Sequence, residues 1–197
     1  MAVYTKVNEI ELKKFLSNYH IDDFTSYTGI AEGVENTNYL ILCGQTKYIL
    51  TLYEKRVSEK DLPFFINLLN HLKEKKIGSP IPIKMSNNQY IGKINGKSAA
   101  LFSFVEGFSI KKITENHCSE VGKALANLHI ASNDSNLIRE NTLSFNSWKN
   151  LYVTIEDKLD SIKLGLSQEI STELENLRRN WPVNLPKGII HGDLFPD

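Results

Sequence analysis

Residues 188–197 read GIIHGDLFPD: an apolar run that enters a His-Gly-Asp turn. The apolar residues predict a short strand. Asp193 at its end sits where a carboxylate can accept the proton of an attacking hydroxyl, with His191 bracing the turn by hydrogen bonding. The same letters fit a blander arrangement, in which Asp193 caps a turn and His191 is a satisfied, partly buried histidine. A metal pair through His191 and Asp193 has no obvious third ligand and is the weakest of the three.

Working back from that turn, the chain is helical as far as Thr114. CSEVGKALANLH places Cys118, Val121, Leu125 and Leu128 on one face, and SWKNLYVTIEDKLDSI and SQEISTELENLRRNW extend the helical pattern. Before Glu106 the pattern is strand-like. FTSYTG, TNYLILC and KYILTLY read as strands, the last two joined at Gly44-Gln45, and QYIGKI and KSAALFSFV flank Asn95-Gly96, a type I′ turn signal. Between them, DLPFFINLLNHLKEKK repeats Leu62, Phe65, Ile66, Leu69 and Leu72 at helical spacing. Pro63 fits only near the first turn of that helix, which makes Asp61 a better N-cap than Ser58, and Gly78 suits a left-handed stop. SPIPIK after it must run extended. A first helix starts at Asn8, capped with Glu11, carries Val7, Ile10, Phe15 and Leu16 on its apolar face, and ends near Tyr19.

These elements predict an α+β fold of about five antiparallel strands with a helix after the third, followed by helices, the change falling near Glu106-Gly107. The expected domains are 1–106 and 107–197.

Composition narrows the function classes. The 23 Lys and Arg balance the 23 Asp and Glu, so no net field gathers nucleic acid or an anionic membrane. No window approaches eighteen consecutive apolar residues, and MAVYTKVNEIELKK carries charges where a signal peptide needs an apolar stretch, so a cytoplasmic protein is expected. Cys43 and Cys118 lie outside any Cys-x-x-Cys spacing and are expected as two buried thiols in a reducing compartment. No G-x-S-x-G elbow supports serine hydrolase chemistry, and His20, His71 and His117 have no motif around them.

Two further stretches have the chemistry of a nucleotide site. In GIAEGVENTNYLI, Gly29 and Gly33 let backbone amides approach phosphates, while Asn36 and Asn38 fix the turn through side-chain hydrogen bonds; an ordinary hairpin would read the same. In FSFVEG, the connector carrying Phe104 and Glu106 can pair its backbone with an adenine edge, as can a plain linker.

Taken together and in this order, these motifs resemble the protein-kinase-like small-molecule phosphotransferases, the group that includes aminoglycoside phosphotransferases and choline kinases. LANLH ending at His129 is similar to the helix before that group's catalytic loop, and HGDLFPD to the loop itself. More narrowly, GIAEGVENTNYLI, YILTLYEKR, DLPFF and IIHGDLFPD resemble its homoserine kinase branch.

The resemblance implies a two-lobe kinase-like fold, with a β-rich N-lobe and a partial helical C-lobe. It implies ATP- and Mg2+-dependent phosphorylation of the L-homoserine hydroxyl in threonine biosynthesis, with Asp193 and His191 in the catalytic loop. Gly29, Gly33, Asn36, Asn38, Phe104 and Glu106 would face the nucleotide. A sibling kinase for choline, ethanolamine, methylthioribose or an aminoglycoside is the alternative enzyme, and a truncated, non-catalytic nucleotide-binding product the alternative of another class.

The chain departs from the group in two places. Thr51 stands where the third strand often carries a phosphate-pairing lysine, with Lys55 or Arg56 as candidate substitutes, and neither Glu59 nor Glu74 matches the usual acidic partner. In the pattern D-x-x-x-x-N the magnesium-binding Asn falls one residue beyond Asp197, and the second magnesium ligand further on. The loop is therefore expected to be interrupted, and the chain to be the N-terminal part of a longer enzyme.

Overall fold

A computed structural model describes residues 3–31, 35–54 and 57–195. They form two compact units, residues 1–137 with 188–197, and residues 138–187.

The first unit opens with α1 (Glu9–Leu16). The Glu11 amide donates to Asn8 Oδ1 and the Asn8 amide to Glu11 Oε2, both at 2.9 Å, so the expected capping box is present. The buried face is Leu12, Phe15 and Leu16, while Ile10 is 81% exposed. Ile10 lies five and six positions from Phe15 and Leu16, on the far side of a 3.6-residue turn, whereas Leu12 lies three and four. The helix stops at Leu16, short of Tyr19, which leaves it to bridge Met85 and bury its ring.

Five strands follow: β1 (Phe24–Ile30), β2 (Asn36–Cys43), β3 (Thr46–Tyr53), β4 (Gly92–Ile94) and β5 (Lys97–Ser103). They make one antiparallel sheet in the order β1-β2-β3-β5-β4. Asn95 at φ 50° and Gly96 at φ 74° make the turn expected between β4 and β5. β4 is shorter than QYIGKI suggests, because the chain just before it is spent on a tight turn: Met85 donates to the Gln89 carbonyl at 2.7 Å and Asn88 is left-handed at φ 67°. The extended SPIPIK segment continues that edge, with Ile83 N donating to Leu101 O and Ser103 N to Ile81 O, both at 2.8 Å.

The alternation of each strand separates two faces. Tyr39, Ile41, Leu50, Leu52 and Leu101 pack with α1 in the larger core. Ala100 and Phe102 turn the other way and meet Ile66 of α2 (Leu62–Glu74). Before α2, Ser58 accepts from Lys60 N and caps a short 3-10 turn, Glu59–Asp61. Asp61 holds the N-cap position of α2 without a side-chain capping bond, and Pro63 sits in the first turn.

The left-handed stop falls on Lys76, φ 58°, not on Gly78. Lys76 N bonds Lys73 O at 3.0 Å and Ile77 N bonds Leu72 O at 2.9 Å, closing the helix two residues before the glycine arrives. Lys76→Gly is expected to stabilise the protein by about 0.5–1 kcal/mol, since a side chain is strained at that φ. A urea midpoint that does not rise would contradict this.

Helix α3 (Glu115–Ser132) is capped by Thr114 paired with His117, so this histidine has a local structural role. His71 Nε2 of α2 lies 2.8 Å from Ala131 O near the end of α3 and 3.2 Å from Asp134 Oδ1. Of the two cysteines, Cys43 is buried in β2 and Cys118 is exposed, against the expectation of two buried thiols. On the face where Cys118 was placed, Val121 is also exposed and Leu125 and Leu128 are only half-buried.

In the second unit, α4 (Phe145–Leu159) and α5 (Leu166–Asn180) match the two helical stretches read from sequence. Tyr152 of α4 bonds Ser167 of α5, and the Trp181 ring meets Phe145 and Trp148 at 6.2 and 5.6 Å. No described helix is long and apolar enough to cross a membrane.

Candidate active site

The half-open face of the sheet forms the floor of a cleft of about 570 Å³. Strand periodicity puts Asn36 and Asn38 of β2 and Ile49, Thr51 and Tyr53 of β3 on this side, because Thr37, Tyr39, Leu50 and Leu52 face the larger core. Phe65 and Leu69 of α2 close one wall, and Phe102, Phe104 and Val105 lead out along β5 and the connector. Asn38 and Thr51 are direct partners across β2 and β3, and the Thr51 hydroxyl donates to Asn38 Oδ1 at 2.8 Å.

No lysine or arginine is among the described lining residues. Burial pushes the Tyr53 hydroxyl up to about 12, so it is neutral at physiological pH. Asn36 Oδ1 is buried without a hydrogen-bond partner, the kind of atom that a bound ligand satisfies. Lys47 ties the connector down: its ammonium donates to Glu106 Oε1 at 3.0 Å and stands 5.1 Å from the centre of the Phe104 ring.

Of the residues singled out from sequence, Asn36, Asn38 and Phe104 line this cleft, and Glu106 lies just beyond it on the connector. Gly29 lies on β1 and does not line it; a Cβ there would sit 2.8 Å from Val3 Cγ2, so the missing side chain makes room for the N-terminal segment. Gly33, Lys55 and Arg56 lie outside the described residues. Glu59 accepts from Ser98 at 2.9 Å and from Lys93 at 3.1 Å, bonds that hold its carboxyl below the usual range. Ile49 and Tyr53 were not singled out, although the period of two that places Thr51 in the cleft places them there as well.

The His-Gly-Asp turn forms without the strand expected before it. Residues 188–190 have no ladder partner among the described residues, and an unpaired extended segment is not a strand. Gly192 takes φ 77°, a conformation costly to other residues, and it lets the Asp193 amide donate to His191 Nδ1 at 3.4 Å. Both side chains are exposed, and neither lines the cleft. Among the described residues no three His, Cys, Asp or Glu side chains gather into a metal site.

The sequence matches the phosphotransferase enzyme family (APH) over residues 26–197. Homoserine kinases of Mesorhizobium japonicum and Rhizobium meliloti are each 47% identical across all of this chain, which spans 62% and 60% of their respective lengths. A spectinomycin phosphotransferase solved with ADP and spectinomycin superposes with a TM-score of 0.71 at 15% identity, covering 98% of this chain and 64% of that one. An amicoumacin kinase solved with AMP-PNP and Ca2+ gives 0.61 at 15% identity, covering 95% and 59%. The chain thus spans about three-fifths of the curated relatives it matches, and these low-identity structures share its kinase-like α+β fold. Since the family match runs from β1 through the cleft strands to the His-Gly-Asp turn, the chain belongs to the phosphotransferase enzyme family.

Proposed function

We propose that this protein transfers the γ-phosphoryl group of ATP to the side-chain hydroxyl of L-homoserine, a step toward threonine, in the cytoplasm. The observation that carries the reading is the 47% identity to homoserine kinases across every residue of the chain, cleft strands and His-Gly-Asp turn included.

Residues 1–106 act as the nucleotide-holding lobe, and 107–197 supply part of the helical lobe with the catalytic turn. The apolar walls of the cleft accept the base, with the connector at Phe104–Glu106 offering backbone groups to its edge. Asn36 and Asn38 at the start of β2 lie toward the ribose and phosphates. Asp193 takes the hydroxyl proton as the substrate oxygen bonds to the γ-phosphorus and the bond to the β-phosphate oxygen breaks, releasing ADP. His191 holds the turn that presents Asp193. Mg2+ would supply charge neutralisation at the transferred phosphoryl group, and among the described residues no three His, Cys, Asp or Glu side chains gather to hold it.

A substrate panel on the full-length protein tests the assignment. L-homoserine should drive ADP release with kcat/KM at least about tenfold above choline, ethanolamine, methylthioribose or an aminoglycoside, because a paired carboxylate and ammonium need a pocket of opposite charges. Preference for any of the others would replace the assignment with a sibling kinase, and ATP binding without transfer to any of them would remove it.

A further inference from the structure

On β2 and β3 the polar floor of the cleft is uncharged and asymmetric, Glu35 just ahead of β2 being the one charged side chain among the described lining residues. Asn38 and Thr51 stand directly opposite each other on β2 and β3, and the Thr51 hydroxyl donates to Asn38 Oδ1 at 2.8 Å. An amide whose oxygen is engaged in this way has its nitrogen turned elsewhere, and Asn38 Nδ2 has no partner among the described residues. The two ends of a carboxamide are nearly the same size but opposite in hydrogen-bonding sense, so the neighbour that binds one end decides what the other presents. Here the protein satisfies the acceptor and leaves two N–H donors to the cleft.

A second, independent observation points to a ligand. Asn36, two residues along the same face, has its Oδ1 buried and unpartnered. Leaving such a group unmade costs about 1–3 kcal/mol, which the donors of a nucleotide, its ribose hydroxyls or base amino group, relieve and its phosphate oxygens, being acceptors, do not. With no lysine or arginine and one carboxylate, Glu35, among the described lining residues, neutral hydrogen-bond donors such as the Asn38 amide are what this floor offers an anion.

We propose that Thr51 is a positioning residue: it fixes the Asn38 amide with its N–H2 end toward the nucleotide, where it donates to a phosphate oxygen. This rests on the cleft being the nucleotide site of the proposed kinase. Without the hydroxyl the amide is free to reverse, and its oxygen would then face phosphate oxygens and repel them.

The test uses the full-length protein, isothermal titration with ADP and with adenosine, and three variants. Thr51→Val keeps the shape and removes the donor. It should weaken ADP about tenfold and adenosine less than about twofold. Thr51→Ser restores the hydroxyl and should bind ADP within about threefold of the unchanged protein. Asn38→Asp places acceptors at both ends of the side chain, and should weaken ADP at least as much as Thr51→Val while sparing adenosine; it also serves if Thr51→Val does not fold. In turnover, KM for ATP should rise in Thr51→Val and KM for homoserine should hold.

Equal ADP affinity in Thr51→Val and the unchanged protein overturns the inference, as does an equal loss of ADP and adenosine. If Thr51→Val is insoluble, unaltered ADP binding in Asn38→Asp overturns it. A phosphate-selective loss in a protein that does not phosphorylate homoserine would refute the substrate assignment and leave the role of Thr51 standing. No binding of either nucleotide to the unchanged protein would refute the nucleotide site, and both readings with it.

Discussion

Asp193→Asn in the full-length protein is expected to cut kcat by roughly 10²–10⁴, the range of a lost general base, with ADP affinity changed by less than about twofold. Asparagine has nearly the shape of aspartate. The turn itself rests on backbone features, the left-handed Gly192 and the Asp193 amide bonded to His191 Nδ1, which the substitution does not touch. The basic oxygen that would take the substrate proton is lost. Phosphoryl transfer depends chiefly on positioning and charge neutralisation, so ATP should still bind while the hydroxyl attacks slowly. Single-turnover kinetics and ADP titration on the same preparation separate the two effects, and near-normal turnover would remove Asp193 from the mechanism.

The largest expected effect on stability lies on the opposite face of the same sheet. Thr37 is fully buried, and its hydroxyl accepts from Tyr4 N at 3.0 Å and Thr5 N at 3.1 Å while donating to Glu54 Oε1 at 2.8 Å. Thr5 Oγ1 also donates to Glu54 Oε1, at 2.6 Å, and Lys97 holds the other carboxylate oxygen at 2.9 Å. Thr37→Val keeps the packing shape but strips two amides and a carboxylate of a partner, and should cost about 2–4 kcal/mol. Thr37→Ser retains the hydroxyl and should lose distinctly less. A Val variant with an unchanged urea midpoint would show that water replaces the lost bonds freely.

The same network gives a pH dependence. Burial raises the Glu54 value, but hydrogen bonds from Thr5, Lys97 and Thr37 and the Lys97 charge outweigh it, and the carboxyl ends below the ordinary 4.5. The folded state thus favours the ionised form more than the unfolded chain does. The stabilisation is complete above the ordinary glutamate value and is lost as pH falls through the lower folded one. Glu54→Gln should accordingly lower Tm at neutral pH and flatten its decline in acid.

How far the sequence could be read depended on the range of the interaction. The Asn8–Glu11 capping box, the Asn95-Gly96 turn and the alternation of TNYLILC are local, and the structure matches them. Thr37, Glu54 and the N-terminal segment meet across 17 and more residues of chain, and no spacing rule links them. The sequence favours Gly78 over Lys76 because glycine is the usual residue at a left-handed stop, whereas the helix closes before Gly78 is reached. The exposure of Cys118 was hidden because an apolar helix face does not by itself reveal what packs on it. In the site, Asn36 and Asn38 were legible as a pair, since a period of two keeps them together; that Thr51 bonds Asn38 needed the β2–β3 register.

The two-sidedness of β2 bears on how such an enzyme can change. Thr37, Tyr39, Ile41 and Cys43 face the closed core, while Asn36 and Asn38 face the cleft. Ligand preference and fold maintenance are thus written on alternate residues of one strand, as two interleaved texts. Substitution at Asn36 and Asn38 can alter what the cleft accepts while the odd-numbered positions keep the scaffold intact, so that change here does not have to begin with a loss of stability.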